Sequence, residues 1–214
     1  MPRRVAAVAL TKGAPSHDAI GGLRGVAHIG PGGDAMDFTL TQYYPTGLDR
    51  LWAVFGRPEY PQRKYAALGA TAFRLQRFDV TAHAIEVELE RDVPVDPSRL
   101  SPWVRRMVGS KQTLRHRTRW RRVSPTRVTA ELEISPISLP VRARGVGTII
   151  ETAPGMTQMK LDWNVTSMVP MVGEKIERLF ADQVRTALED DHAFTLQYLQ
   201  QVAPLEAPVT QRVT

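Results

Sequence analysis

"RHRTRWRR", residues 115–122, puts five arginines, one histidine and one tryptophan into eight positions of a 214-residue chain whose formal net charge is +6. Such a run is either a basic grip for nucleic acid or one face of a strand. In a strand, successive side chains point to opposite sides. Arg115, Arg117, Arg119 and Arg121 then form one column, and Leu114, His116, Thr118 and Trp120 form the other. The stretches on either side carry the complement. "HAIEVELER" (83–91) sets Ile85, Val87 and Leu89 on one face and Glu86, Glu88 and Glu90 on the other, and "RVTAELEIS" (127–135) adds Glu131 and Glu133. Strands that follow one another in a meander are usually neighbours, so glutamates are expected to flank the arginines. Cross-strand pairs of opposite charge contribute about 0.2–1 kcal/mol each. A column already paired with carboxylates offers little field to a phosphate backbone. The reading is therefore a solvated charge ladder, and nucleic-acid binding is not expected.

Working outward, "MDFTLTQYY" (36–44) alternates as a strand. Thr46 is placed to cap a short helix, "GLDRLWAVFG", in which Leu48, Leu51, Trp52 and Phe55 fall at helical spacing. "PEYPQRKYAALG" (58–69) continues as a second short helix, and "AFRLQRFDV" (72–80) returns to period two. After the arginine strand come "RVTAELEIS", "VRARGVGTIIE" (141–151) and "MTQMKLDWNV" (156–165), for about seven strands in all. From Val172 to about Gln201 the period is helical, with Ile176, Phe180, Gln183, Ala187, Phe194 and Tyr198 on one stripe. Residues 1–35, glycine-rich and aperiodic, read as a disordered arm, with Met36 as an alternative start. Residues 36–201 read as one domain, and 202–214, with two prolines, as a flexible tail.

The chain has no cysteine, which excludes a disulfide framework and any thiolate nucleophile or metal site and fits a reducing, cytoplasmic setting. No run approaches the roughly 18 apolar residues of a membrane-spanning helix, and the apolar stretch in "MPRRVAAVAL" is short for a secretory signal. "GVGTII" at Gly145 lies within a strand and opens no helix, so it is not a dinucleotide loop. No cofactor or metal is expected.

Three phrases carry a resemblance: "FTLTQYYP" (38–45), "SPWVRRMVG" (101–109) and "VPMVGEKIERLFADQVRTALE" (169–189). Together they resemble the family of domain of unknown function 2505, within the START-like, SRPBCC or polyketide-cyclase-like superfamily of helix-grip proteins, over residues 36–201. Two departures are the 35-residue arm and Glu174, which stands where a second glycine is expected. The resemblance implies an α+β helix-grip fold, a curved antiparallel sheet wrapped around a long C-terminal helix with two short helices after the first strand. It also implies a cavity between sheet and helix for a hydrophobic or amphipathic small molecule or lipid, and it supplies no reaction.

Pockets for small molecules are mostly apolar with a few directed polar groups. The inward positions opposite the ladder offer Ile85, Leu89, Leu114, His116, Trp120, Leu161 and Trp163, and the helix stripe offers Phe180, Gln183 and Ala187. These are the candidate ligand-binding residues, with His116 and Gln183 as the orienting polar groups; the bland alternative is that they are plain core. An inward His116 beside a carboxylate or Gln183 also suits a cyclase- or hydratase-type enzyme. His83 points inward by parity, but two histidines are too few for a zinc site. His192 beside Glu189, Asp190 and Asp191 reads as a solvated acidic face. The short stripe of "PWVRRMVG" reads as a lid or packing, with a peripheral membrane contact as the rival. A third functional class is a module that binds an acidic partner through a basic surface. Oligomeric state is not legible.

Overall fold

In the computed structural model the described residues are 36–95, 110–169, 173–202 and 211–213. The expected arm at 1–35, the expected lid at 101–109 and most of the expected tail lie outside them. Strand β1 (Met36–Tyr44) leads into helices α1 (Leu48–Phe55) and α2 (Glu59–Ala67). The meander follows as β2 (Ala72–Val80), β3 (Ala84–Pro94), β4 (Lys111–Ser124), β5 (Arg127–Pro136), β6 (Val141–Ala153) and β7 (Met156–Ser167). The long helix α3 (Gly173–Gln201) comes next, and a short strand, β8 (Gln211–Val213), ends the described chain. All pairings are antiparallel, and the sheet order is β1-β7-β6-β5-β4-β3-β2-β8.

Strand β8 comes from the segment expected to be frayed. It pairs with Phe78–Val80 at the outer edge of β2, where unpaired N–H and C=O groups will accept any extended chain. The cap also differs from expectation. Gly47, not Thr46, precedes α1, and the Leu48 N–H donates to Glu151 Oε2 at 3.1 Å, so a carboxylate on β6 serves the helix N-terminus. The turn after α2 needs a left-handed residue, and Gly69 supplies it at φ 78°.

Alternation decides the two faces of the sheet. On β7, Met159, Leu161, Trp163 and Val165 are buried, while Lys160, Asp162 and Asn164 are exposed. The buried face packs on α3, chiefly through β7, β1 and β6, and register shifts in β2, β4 and β6 add curvature.

The other face carries the ladder. Arg115, Arg117 and Arg119 stand opposite Glu90, Glu88 and Glu86 in register and meet them at 2.9, 3.1 and 3.0 Å. Glu131 pairs with Arg119 at 3.7 Å, whereas Glu133, in register with Arg117, takes Arg144 at 3.2 Å and Arg142 at 3.6 Å. The hydrogen bond from Arg115 outweighs the opposing effect of burial and, with Arg74, holds the Glu90 carboxyl below its usual range. The Arg117 side chain is 55% exposed, so its pair is screened by water. Arg117→Gln is therefore expected to change unfolding free energy by no more than about 1 kcal/mol. Urea denaturation checks this, and a loss above about 2 kcal/mol would contradict a solvated ladder.

Candidate functional site

Beneath α3 the inner face of the sheet is not wholly apolar. The parity that buries Ile85, Val87 and Leu89 on β3 continues to Arg91, which is 6% exposed. His116, across from Leu89 on β4, is 7% exposed. Helix α2 brings Tyr60, Lys64 and Tyr65 to the same region, and α3 brings Asp191 and Thr195, one turn apart. These groups surround a cavity of about 60 Å³ whose apolar wall includes Leu132, Ile134, Met159 and Leu161.

The hydrogen bonds assign most of the protons. Arg91 Nε donates to His116 Nε2 at 3.0 Å. A guanidinium cannot accept, so Nε2 holds the lone pair and the imidazole proton sits on Nδ1, 3.4 Å from Tyr65 Oη. Thr195 gives its one hydroxyl proton to the Asp191 carbonyl at 2.7 Å, so the Tyr60 hydroxyl must donate to Thr195 Oγ1, also at 2.7 Å. Tyr44 and Gln42 are closed in a similar chain, Tyr44 Oη donating to Gln42 Oε1 and Gln42 Nε2 to the Leu188 carbonyl. Lys64 Nζ meets Asp191 Oδ2 at 2.9 Å and lies over the Tyr65 ring at 4.7 Å. The Arg91 guanidinium also lies over that ring, 4.6 Å from its centroid.

Burial, then the neighbouring Arg91 and Lys64 charges, hold His116 well below its usual pKa, so it is neutral in the fold. Burial pulls the Lys64 ammonium down, but Asp191 and the tyrosines more than reverse this and it stays charged. Burial lowers Arg91 and raises Tyr60.

His116 has a consequence for pH. Below its ordinary value of 6.5 the unfolded chain takes up a proton at this histidine that the folded chain refuses. Its contribution to stability is thus complete above that pH and lost as pH falls toward the native pKa, at up to about 1.4 kcal/mol per pH unit. Unfolding measured for the parent and His116→Asn between about pH 5 and 7 is expected to show this part of the slope vanish in the variant. An unchanged slope would contradict a neutral, buried His116.

Of the residues singled out from the sequence, His116, Trp120, Leu161 and Ala187 line the cavity. Ile85, Leu89, Trp163 and Phe180 are buried core and Leu114 is half-buried against it; Trp163 stacks on Phe38 with ring centroids 6.1 Å apart. Gln183 is exposed, because the inward stripe runs Ile176, Phe180, Val184, Leu188 and Thr195, and Val184 takes the place assigned to the glutamine. His83 is also exposed, since the chain turns there between β2 and β3 and strand parity no longer applies. Asp191 is not on a solvated face but pairs with Lys64, and His192 Nε2 meets the Tyr43 carbonyl at 2.8 Å. His116 and Gln183 are not assembled as a catalytic pair, and the imidazole nitrogens face Arg91 and Tyr65. Sequence reading missed Tyr60, Lys64, Tyr65, Arg91 and Asp191. Continuing the β3 alternation by two residues would have found Arg91.

Trp120 has a loose end. It stacks on Phe55 at 4.5 Å, and its buried Nε1–H has no hydrogen-bond partner. By contrast, a larger open groove of about 980 Å³ beside β1 has its arginine in use: Arg50 donates to the Leu199 and Val202 carbonyls at 2.7 and 3.1 Å. Among the described residues no cluster of three metal-ligating side chains occurs, and no helix is long and apolar enough to cross a membrane.

No curated protein matches the chain. Similar solved structures include an aromatase/cyclase, Zhui, from Streptomyces sp. R1128, at 12% identity over 78% of this chain and 94% of that one, TM-score 0.49. A protein from Thermus thermophilus is similar at 10% identity over 77% and 97%, TM-score 0.48. Another from Mycobacterium smegmatis is similar at 14% identity over 77% and 91%, TM-score 0.44. Residues 39–199 match the family described as "Protein of unknown function (DUF2505)", and with its helix-grip fold the chain belongs to that family.

Proposed function

We propose that the protein is a carrier or sensor that binds a small amphipathic molecule in the cavity beneath α3. The observation that carries this reading is a cavity beneath α3 whose wall includes one buried polar hydrogen with no acceptor, Trp120 Nε1–H. An unpartnered buried polar group costs about 1–3 kcal/mol, a cost a ligand or ordered water would remove. At about 60 Å³ the space is far below the roughly 300–1,000 Å³ of pockets for drug-sized molecules. A whole lipid chain therefore does not fit the cavity as it stands, and the lipid expected from the resemblance gives way to a compact ligand or the head of a larger one.

Native mass spectrometry of protein purified from its own host tests the reading. A small molecule that co-purifies and is released on denaturation supports it. Protein that is empty when isolated, and stays empty after incubation with its host's small-molecule extract, overturns it.

A further inference from the structure

The cavity wall has an imbalance of charge and of hydrogen-bonding capacity. Lys64 and Arg91 are cations, Asp191 is the carboxylate that answers them, and it is taken by Lys64 at 2.9 Å. His116 is neutral, because its Nε2 accepts from Arg91. The lining therefore carries one net positive charge in a place shielded from water. Among the described residues no carboxylate forms an ion pair with Arg91, whose hydrogen bond there runs from Nε to His116 Nε2. The donors left over also outnumber the acceptors. Tyr65 Oη accepts from His116 Nδ1–H, which leaves its own proton free, and Trp120 Nε1–H is unpartnered. Cation, phenol and indole all offer hydrogens, and a partner has to bring lone pairs and negative charge.

We infer that the cavity is an anion site that takes the carboxylate of a short, otherwise apolar molecule, with Arg91 and Tyr65, whose ring centroid lies 4.6 Å from the guanidinium, as donors. The inference rests on the ligand-binding reading above and narrows it to a chemical class. A carboxylate supplies two acceptor oxygens and the one negative charge the lining lacks, and its bonds to a guanidinium are stronger than neutral ones. The apolar side formed by Leu132, Ile134, Met159 and Leu161 suits a hydrocarbon remainder, and about 60 Å³ limits how much of it enters.

Isothermal calorimetry with acetate, butyrate and hexanoate against ethanol, butanol and hexanol, at fixed chloride concentration, tests this. The expected result is that butyrate binds at least about tenfold tighter than butanol. Arg91→Met should abolish that preference, and Tyr65→Phe, which keeps the ring under the guanidinium and removes only the hydroxyl, should weaken butyrate several-fold. Circular dichroism establishes that each variant is folded, and if Arg91→Met is not, the Tyr65→Phe result decides. Alcohols that bind as well as acids overturn the anion site and leave the ligand reading standing. So does a co-purifying ligand without an acidic group. Carboxylate binding that survives in both variants places the anion elsewhere, on the exposed arginine face, and also overturns it. If no probe binds and the native protein is also empty, both readings fall.

Discussion

Asp191→Ala is expected to cost the fold about 3 kcal/mol, among the largest effects of any single substitution in the molecule. The residue answers Lys64, whose side chain is 11% exposed, and among the described residues no other carboxylate lines the cavity. Removing it leaves two cations, Lys64 and Arg91, buried together without a counter-charge. Breaking a buried pair usually costs about 3–5 kcal/mol, and the lower end applies because the Asp191 side chain is itself 26% exposed. Replacing both partners with apolar groups is far milder. The double variant Lys64→Met with Asp191→Ala should therefore recover part of the stability that the single variant loses. Chemical denaturation of the three proteins checks this. A single variant that loses under about 1 kcal/mol, or a double variant less stable than the single, would contradict a buried Lys64–Asp191 pair.

The second large effect concerns two glycines on β6. A Cβ at Gly147 would stand 1.9 Å from the Lys160 carbonyl oxygen and 2.9 Å from Leu161 Cα. Both are backbone atoms of β7, so the clash is relieved only by parting the strands. At Gly145 the added carbon would meet ring atoms of Trp163 at 2.6–2.8 Å, because the indole lies across the glycine. Gly147→Ala is expected to destabilise by about 3 kcal/mol or more, and Gly145→Ala by about 1–3 kcal/mol. Trp163→Phe in the same chain should soften the Gly145→Ala penalty, since a smaller ring can yield, and should leave the Gly147→Ala penalty unchanged. Equal rescue of both, measured by thermal unfolding, would contradict the different origins assigned to them.

The arginine stretch made the fold legible because a strand with one dry side obeys a strict period of two. Once Arg115, Arg117 and Arg119 were placed outward, His116 and Trp120 had to face in, and the flanking glutamates told which strands lay alongside. The helix stripe was legible with one slip of phase, at Gln183, where following the apolar residue at Val184 would have corrected it. The polar interior was not legible. Lys64 and Asp191 are 127 residues apart, and Tyr65 and His116 are 51 apart. Each sits in a locally ordinary stretch, and only the docking of α2 on the sheet and of α3 beside α2 makes them neighbours. Arg91 was within reach, since it continues the Ile85, Val87, Leu89 column, but a charged residue at the end of an alternating run reads naturally as the end of the strand. The three-residue β8 carries no pattern of its own, and its place is decided by the open edge of β2.

One consequence of the interior is that stability and binding share residues. The net positive lining that a ligand's charge would neutralise is also a cost to the empty fold. A bound acid is therefore expected to raise the unfolding temperature as well as to occupy the cavity.

The most direct measurement is a crystal structure of protein isolated from its own host, read at the cavity between Arg91, Tyr65 and Trp120. Density is expected for a bound organic molecule with an acceptor atom within hydrogen-bonding distance of the Arg91 guanidinium, Tyr65 Oη or Trp120 Nε1. Density for ordered water alone, or side chains closed over the space, would contradict this.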